Sequence, residues 1–598
     1  MNSTSNANCF AREGNTLIPR INCLSLILLS TILGGLARAQ CTGASPSWTS
    51  TPDQASVNTC INNASEGDTI KISAGSATWT TGVAISGKGL TIQGAGSGRI
   101  VAYSVTSNAL PLATGALALT ITSTNVANPN NLSALISTGQ TLLVYELGFE
   151  ANFLRGTVTS FNPSTGALAM NITSAGGTCG ASGGNGGMNS NCKRWLVTTI
   201  PSTTIVNNIS PSNGSANPLF TITEDTSFNT NISGIQFTMG TNGSQHFWLK
   251  RANGGQAILI HDCWMQQGGA GGFALINSTT NRGVIWNCSF DVSPWAQSNY
   301  AVFQIKDDGD GMPTSWTTPS TFGMNDAAGT AFCSSCSAGQ NNFYFETNDV
   351  HGFLDWNNFD DNSRAVVRYN LFDNTGSGTH GADTSNYGNR HFEFYNNVGL
   401  FEGYKDGSTA NLNFWLLIRG GTFVYHDNVL PAISSQDYGT KSDIDVAVEQ
   451  LSRDAGPHPC WGTSPTIPGQ YYFAPRQAGM GYVTGAGSTQ GTQANGYFGP
   501  ASHDTYTYVG DSEPMYIWNN TRTAGGSTTA LNVNYATDNE GCSNEDSQSN
   551  YVASGRDFFN TASTAKPGYT PFTYPHPLTQ GIGLTLPNPP TALQATVN

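Results

Sequence analysis

Charge is scarce in this 598-residue chain: Asp, Glu, Lys and Arg together make up 10% of it. Long solvated helices and coiled coils need far more Glu, Lys and Arg, and no apolar period of about 3.6 residues persists beyond a turn or two, so a helical architecture is excluded. Basic charge is scarcer still, with 24 Lys and Arg against 38 Asp and Glu and a net charge of −14. Such a surface repels nucleic acid and other polyanions unless a cation intervenes. Long apolar runs are nearly missing too. One stretch, residues 21–36, follows Arg12 and Arg20 and precedes Ala37-Arg38-Ala39, which sets small residues at the two cleavage-determining positions. It reads as an export signal, residues 1–39, cleaved after Ala39. The competing reading, a membrane anchor, is weakened by the shortness of the run and by Gly34 and Gly35 within it. No other stretch is long enough to span a bilayer. Cleavage leaves 21 basic against 37 acidic side chains and a net charge of −16.

What the chain does have is Gly, 69 of 598 residues, with abundant Asn, Ser and Thr, a composition that suits short strands and many tight turns. Ten cysteines remain after signal removal and fall into sequential pairs: Cys41/Cys60, Cys179/Cys192, Cys263/Cys288 and Cys333/Cys336, with Cys460/Cys542 left over. An even number in an exported chain favours disulfides over a zinc or redox use of Cys333-x-x-Cys336, which no second such motif supports.

Seven segments align without gaps: ILIHDC (258–263), GVIWNC (283–288), FYFETN (343–348), AVVRYN (365–370), FEFYNN (392–397), FVYHDN (423–428) and MYIWNN (515–520). Positions 1 and 3 are mostly apolar, as when alternate residues of a strand face one interior. Position 6 is Asn in the last five and Cys in the first two, and it breaks the alternation, so the chain must bend at positions 4 to 5. Asn348, Asn370, Asn397 and Asn428 are 22, 27 and 31 residues apart, which is the period of solenoid coils. Stacked coils bring such amides roughly 4.8 Å apart, where each can donate to the next.

Residues 64–96, ASEGDTIKISAGSATWTTGVAISGKGLTIQGAG, alternate apolar and polar residues between Gly turns and read as three or four short strands. On GDTIKISAG, the LTIQGAG step and the Asn-bearing repeats, the chain resembles secreted right-handed parallel β-helix proteins of the superfamily that includes pectate and pectin lyases, over most of residues 55–530. The resemblance implies an all-β right-handed parallel β-helix. Residues 40–108 supply its first coils and 201–566 its main body, with long loops at 291–341 and 431–514 that build whatever site exists. Residues 109–200 interrupt the coils with hairpin-joined strands, and are expected to form a small inserted antiparallel barrel or sandwich. The Pro-rich end, 567–598, is expected to run as an extended tail along the solenoid.

The register makes position 4 point away from the interior: His261, Trp286, Glu346, Arg368, Tyr395, His426 and Trp518. Aromatic residues interleaved with charge on a flat sheet suit a sugar chain, whose ring faces stack on Trp or Tyr; the alternative is that neighbours such as Glu346 and Arg368 merely pair with each other. Loop residues of catalytic type lie near by. The resemblance implies a polysaccharide lyase cleaving an acidic glycan by β-elimination. In it Arg368 or Arg419 acts as base or carboxylate neutraliser, His380 moves the proton and Glu346 completes the set, while Trp286, Tyr395, His426, Arg390 and Asp383 bind substrate. Asp307, Asp308 and Asp310, crowded beside glycines, are candidate Ca²⁺ ligands. The chain departs from the family here: neither a WIDH-like nor an RxPxxR-like segment is matched, and LIHD (259–262) is only superficially similar. Nor does it supply the ordered carboxylate, GHG and RIK pattern of the polygalacturonases; adjacent Asp360 and Asp361 do not give the roughly 6.5–9.5 Å separation that inverting hydrolysis needs. The alternative to an enzyme is a glycan-binding or adhesive surface protein. Either would act as a monomer with polysaccharide as its partner.

Overall fold

The computed structural model describes residues between 40 and 580, apart from internal segments that include 180–191, 293–301, 306–341, 379–390, 401–415, 431–445, 449–513 and 536–553. The chain is a right-handed parallel β-helix. A 13-stranded first sheet, an 8-stranded second sheet and a 6-stranded third sheet, continued by a 4-stranded one, wrap a single apolar interior. One helix, Gln54–Asn63, lies among the first coils; Asp53 caps its N-terminus by accepting from the Ser56 backbone N–H.

The seven aligned segments are in-register neighbours in the first sheet, so position 4 runs His261, Trp286, Glu346, Arg368, Tyr395, His426, Trp518 on successive strands. Positions 1 and 3 face the interior, among them Ile258, Ile260, Phe343, Phe345, Phe392 and Phe394. The bend falls at position 5, where Asp262, Asn287, Thr347, Tyr369, Asn396, Asp427 and Asn519 all have φ between 51° and 59°. Asn and Asp tolerate this left-handed conformation, whereas Thr347 and Tyr369 are strained in it. Their side chains gain contacts that offset the strain: Thr347 Oγ1 accepts from Asn287 N–H at 3.2 Å, and Tyr369 packs on Tyr574 with ring centroids 3.7 Å apart.

Position 6 then turns back into the interior and forms a continuous amide ladder. Asn370 Oδ1 accepts from Asn348 N–H at 2.8 Å, while its Nδ2 donates to Phe345 O at 2.8 Å and to Asn397 Oδ1 at 2.9 Å. Asn397 and Asn428 repeat the pattern, and Asn520 ends the row by accepting from Asn428 N–H and Nδ2. The ladder stops at Cys288, whose backbone N–H donates to Asn348 Oδ1 at 2.9 Å. The disulfide expected between Cys263 and Cys288 does not form; both thiols are free and buried. In-register side chains on parallel strands project side by side rather than toward each other, which is poor disulfide geometry. Each thiol instead donates to a carbonyl of its own turn, His261 O at 3.2 Å and Trp286 O at 3.4 Å. Cys41–Cys60 and Cys179–Cys192 are bonded, as an oxidising compartment allows; Cys333, Cys336, Cys460 and Cys542 lie outside the described residues.

A seven-stranded antiparallel sheet interrupts the coils. It opens at Val101–Val105, which pairs with Arg194–Thr199, so the insertion starts inside the stretch 40–108 that the sequence assigns to the first coils. One face closes over its own core, with Leu142, Val144, Leu154, Met170 and Trp195. From the other face Tyr145 and Leu196 pack on Trp264, Leu371 and Val398 of the second sheet. Tyr145 stacks on Trp264 at 5.7 Å and its hydroxyl donates to Asp291 at 3.1 Å.

Candidate functional site

The outer side of the first sheet is closed along its middle coils, from Trp286 to Trp518. Residues 569–578, at the C-terminal end of the described chain, run back along it as a strap, from Tyr569 beside His426 to Leu578 against the cluster that holds Leu259, Val284 and Trp286. At its centre Arg368, fully buried, donates to Glu346 Oε2, Tyr395 Oη and the strap carbonyl Phe572 O at 2.8 Å each, and to Thr573 O at 3.0 Å. Glu346 Oε1 accepts from His576 N–H at 3.0 Å. Phe572 and His576 pack on Tyr344, and Tyr569 donates to Glu393, which is bonded to His391 at 2.6 Å. Burial, reinforced by the Arg368 charge, holds the His576 imidazole down to about 3, so it is neutral in the fold. Burial likewise lowers His426 and raises the Tyr369 and Tyr574 phenols.

This overturns the expected open stripe. Trp286, Glu346, Arg368, Tyr395 and His426 do sit side by side, but each is at most 3% exposed. The residues face away from the solenoid interior, and the aromatic strap supplies the partners a sugar would have supplied. Glu346 and Arg368 form a saturated buried ion pair with no free edge for a reacting atom. The other candidates, His380, Asp383, Arg390, Arg419, Asp307, Asp308 and Asp310, lie outside the described residues, among which no group of three or more His, Cys, Asp or Glu could hold a metal ion.

The third sheet is different. Phe220, Phe247, Ile276, Phe303 and Phe359 point inward, and the alternate residues Thr221, Trp248, Asn277, Gln304 and Asn358 form one in-register outward column. All five are partly exposed. Lys250, on the same face as Trp248, holds its ammonium 4.0 Å from the indole centroid. The column is amide, hydroxyl and indole with one cation and no carboxylate. Connection lengths single out the same sheet. Between the first- and second-sheet strands from His261 to Val398 the link is two residues in every coil, whereas 293–302, 306–342 and 449–514 each enter or leave a third-sheet strand. Asp307, Asp308, Asp310, His380 and Arg419 all lie in connections that leave third-sheet strands, after Ile305, Gly378 and Ile418. The sequence carried a signal for this column, the alternation in LFTIT, HFWLK and VFQIK. It lacked a marker such as the Asn to set register across connections of unequal length.

No protein-family model matches the chain, and no curated protein matches it. Among solved structures, a glycoside hydrolase is 9% identical with a TM-score of 0.22, over 63% of this chain and 87% of its own. The tailspike of Pseudomonas phage phi297 is 10% identical with a TM-score of 0.17, over 82% of this chain and 76% of its own. Likeness at this level says nothing about activity.

Proposed function

We propose that the protein is an exported β-helix of the pectin/pectate lyase-like kind that engages extracellular polysaccharide, as a monomer, along the outer face of its third sheet. One observation carries the reading: along the middle coils the first face is covered by the strap, from Trp286 to His426, and the second by the inserted sheet, over Trp264, Leu371 and Val398. The third presents the partly exposed column Thr221, Trp248, Asn277, Gln304, Asn358. Amides and hydroxyls in register, about 4.8 Å apart, match the hydroxyl-lined edges of a glycan, and Trp248 offers a ring face for stacking. Lys250 would favour an acidic sugar on an otherwise acidic protein.

The catalytic version of this reading uses His380 and Arg419, carried on connections that border the third sheet, with Ca²⁺ at Asp307, Asp308 and Asp310 offsetting the substrate carboxylates. Arg368 and Glu346 serve there as the lock of the strap, not as reacting groups. The decisive experiment incubates the mature chain with a panel of uronic-acid and neutral polymers, with calcium and with chelator, following both binding and absorbance from unsaturated products. Binding that weakens about tenfold in Trp248→Ala supports the face. Calcium-dependent product that disappears in His380→Ala or Arg419→Ala supports the lyase. Binding without product leaves a glycan-binding protein, and binding indifferent to Trp248 sinks the site.

A further inference from the structure

Two parts of the first sheet are near copies of one another. His261-Asp262 is followed one coil later, in register, by Trp286-Asn287, and His426-Asp427 by Trp518-Asn519. In both, the imidazole Nδ1 lies 2.6 Å from the Asp Oδ2. In both, the Asn side chain of the next coil donates to the other carboxylate oxygen. In both, the imidazole stacks on the indole with centroids 4.2 Å apart, tilted by 16° and 6°.

They differ at the outer edge. At His426 the strap inserts Tyr569, whose hydroxyl lies 3.3 Å from Nε2 and whose ring stands edge-on to the imidazole at 76° and to the indole at 74°. At His261 no described residue arrives in this way: Nε2 is buried without a hydrogen-bond partner, in a side chain 5% exposed. In the neutral imidazole, the tautomer with the proton on Nδ1 satisfies the Asp262 carboxylate and leaves Nε2 as an acceptor. A buried acceptor without a donor is a standing cost that an incoming O–H would remove.

We propose that His261, Asp262, Trp286 and Asn287 form a second carbohydrate subsite, which takes a hydroxyl-bearing six-membered ring, a neutral pyranose, at the edge where the His426 copy holds the Tyr569 ring. The ring lies across the edges of His261 and Trp286, and one of its hydroxyls donates to His261 Nε2. The Asp262 charge at this edge disfavours an anionic sugar. Leu578 packs on the cluster that contains Leu259 and Trp286, so a ring bound on the Trp286 edge would compete with it. The subsite lies on a different sheet from Trp248, and its success or failure is independent of that face.

The test uses the full mature chain and methyl β-glucoside and methyl β-galactoside as probes, with tetrahydropyran as the same ring without hydroxyls. Binding is read from the His261 imidazole nitrogens by ¹H–¹⁵N correlation and from calorimetry. The expected result is a saturable shift of Nε2 with a glycoside and none with tetrahydropyran. Affinity should rise in Leu578→Ala, and fall about tenfold or more in His261→Phe, which keeps the stacked ring and removes the acceptor. The inference is overturned if neither glycoside shifts Nε2 in the wild type up to its solubility limit, if tetrahydropyran shifts it equally, or if a His261→Phe chain that melts cooperatively binds as well as the wild type.

Discussion

The first and third sheets wrap the same interior with the same alternation, yet their outer sides have opposite fates. The first carries the richer set of aromatic and charged side chains, and every one of its central residues is sealed: Arg368 and Glu346 are 0% exposed and Tyr395 1%. The third carries plain amides, a threonine and Trp248, all partly exposed. Chemically rich residues on a sheet face therefore do not by themselves mark a site. A guanidinium and a carboxylate facing away from the interior can be satisfied entirely by the chain's own carbonyls and amides, and a modest polar column left uncovered is the better binding surface.

The sharpest way to break the contrast is to unlock the strap. Arg368→Met removes one partner of a buried ion pair and leaves Glu346 without it, at a cost of about 3–5 kcal/mol. The expected outcome is a large fall in the denaturation midpoint, together with chymotryptic cleavage at Tyr569 and Phe572 under native conditions. If the strap stays protected, the latch assignment is wrong.

Next in size is the ladder that both faces depend on. Asn397 accepts from Asn370 N–H at 3.0 Å and donates to Val367 O at 2.9 Å, so Asn397→Ala leaves two buried backbone groups of the preceding coil unpaired. A loss of about 1–3 kcal/mol is expected by urea unfolding. Cys288→Ala, which removes a thiol already acting as an apolar rung, should cost less.

Acid should loosen the first face selectively. His576 titrates at about 3 in the fold against an ordinary value near 6.5, so the unfolded or unstrapped chain binds a proton that the closed strap does not. Its contribution is full above about pH 6.5 and is lost as pH falls from there toward 3, at up to about 1.4 kcal/mol per pH unit. Strap protection against an acid-active protease should drop across that window and flatten in His576→Gln; a pH-independent strap would show that His576 stays neutral when released.

How much of this was legible beforehand follows from which residues set register. The position-6 column is periodic in kind if not in spacing, so it placed seven of the thirteen first-sheet strands and, through them, the order from His261 to Trp518. Direction was legible, but exposure was not. Whether an outward residue meets water depends on a segment some 200 residues away in sequence, as with Arg368 and Phe572, separated by 204. Nothing in GYTPFTYPHPL states which face it will cover. The Cys263/Cys288 pairing failed for a related reason: proximity was readable, but the parallel projection of the two side chains was not.

The smallest expected effect on stability is the one that best sharpens the comparison. Trp248 is partly exposed, and its main contact on the outer face is the Lys250 ammonium, so Trp248→Ala should shift the unfolding free energy by only about 0.5–1 kcal/mol. Trp286→Ala, a similar indole one sheet away, empties a fully packed site between His261 and the strap and should cost about 3–5 kcal/mol. Measured together by chemical denaturation, the pair separates an indole packed under the strap from one left at the surface. Comparable losses would mean that something covers the third face as firmly as the strap covers the first, and the open-face assignment would fall.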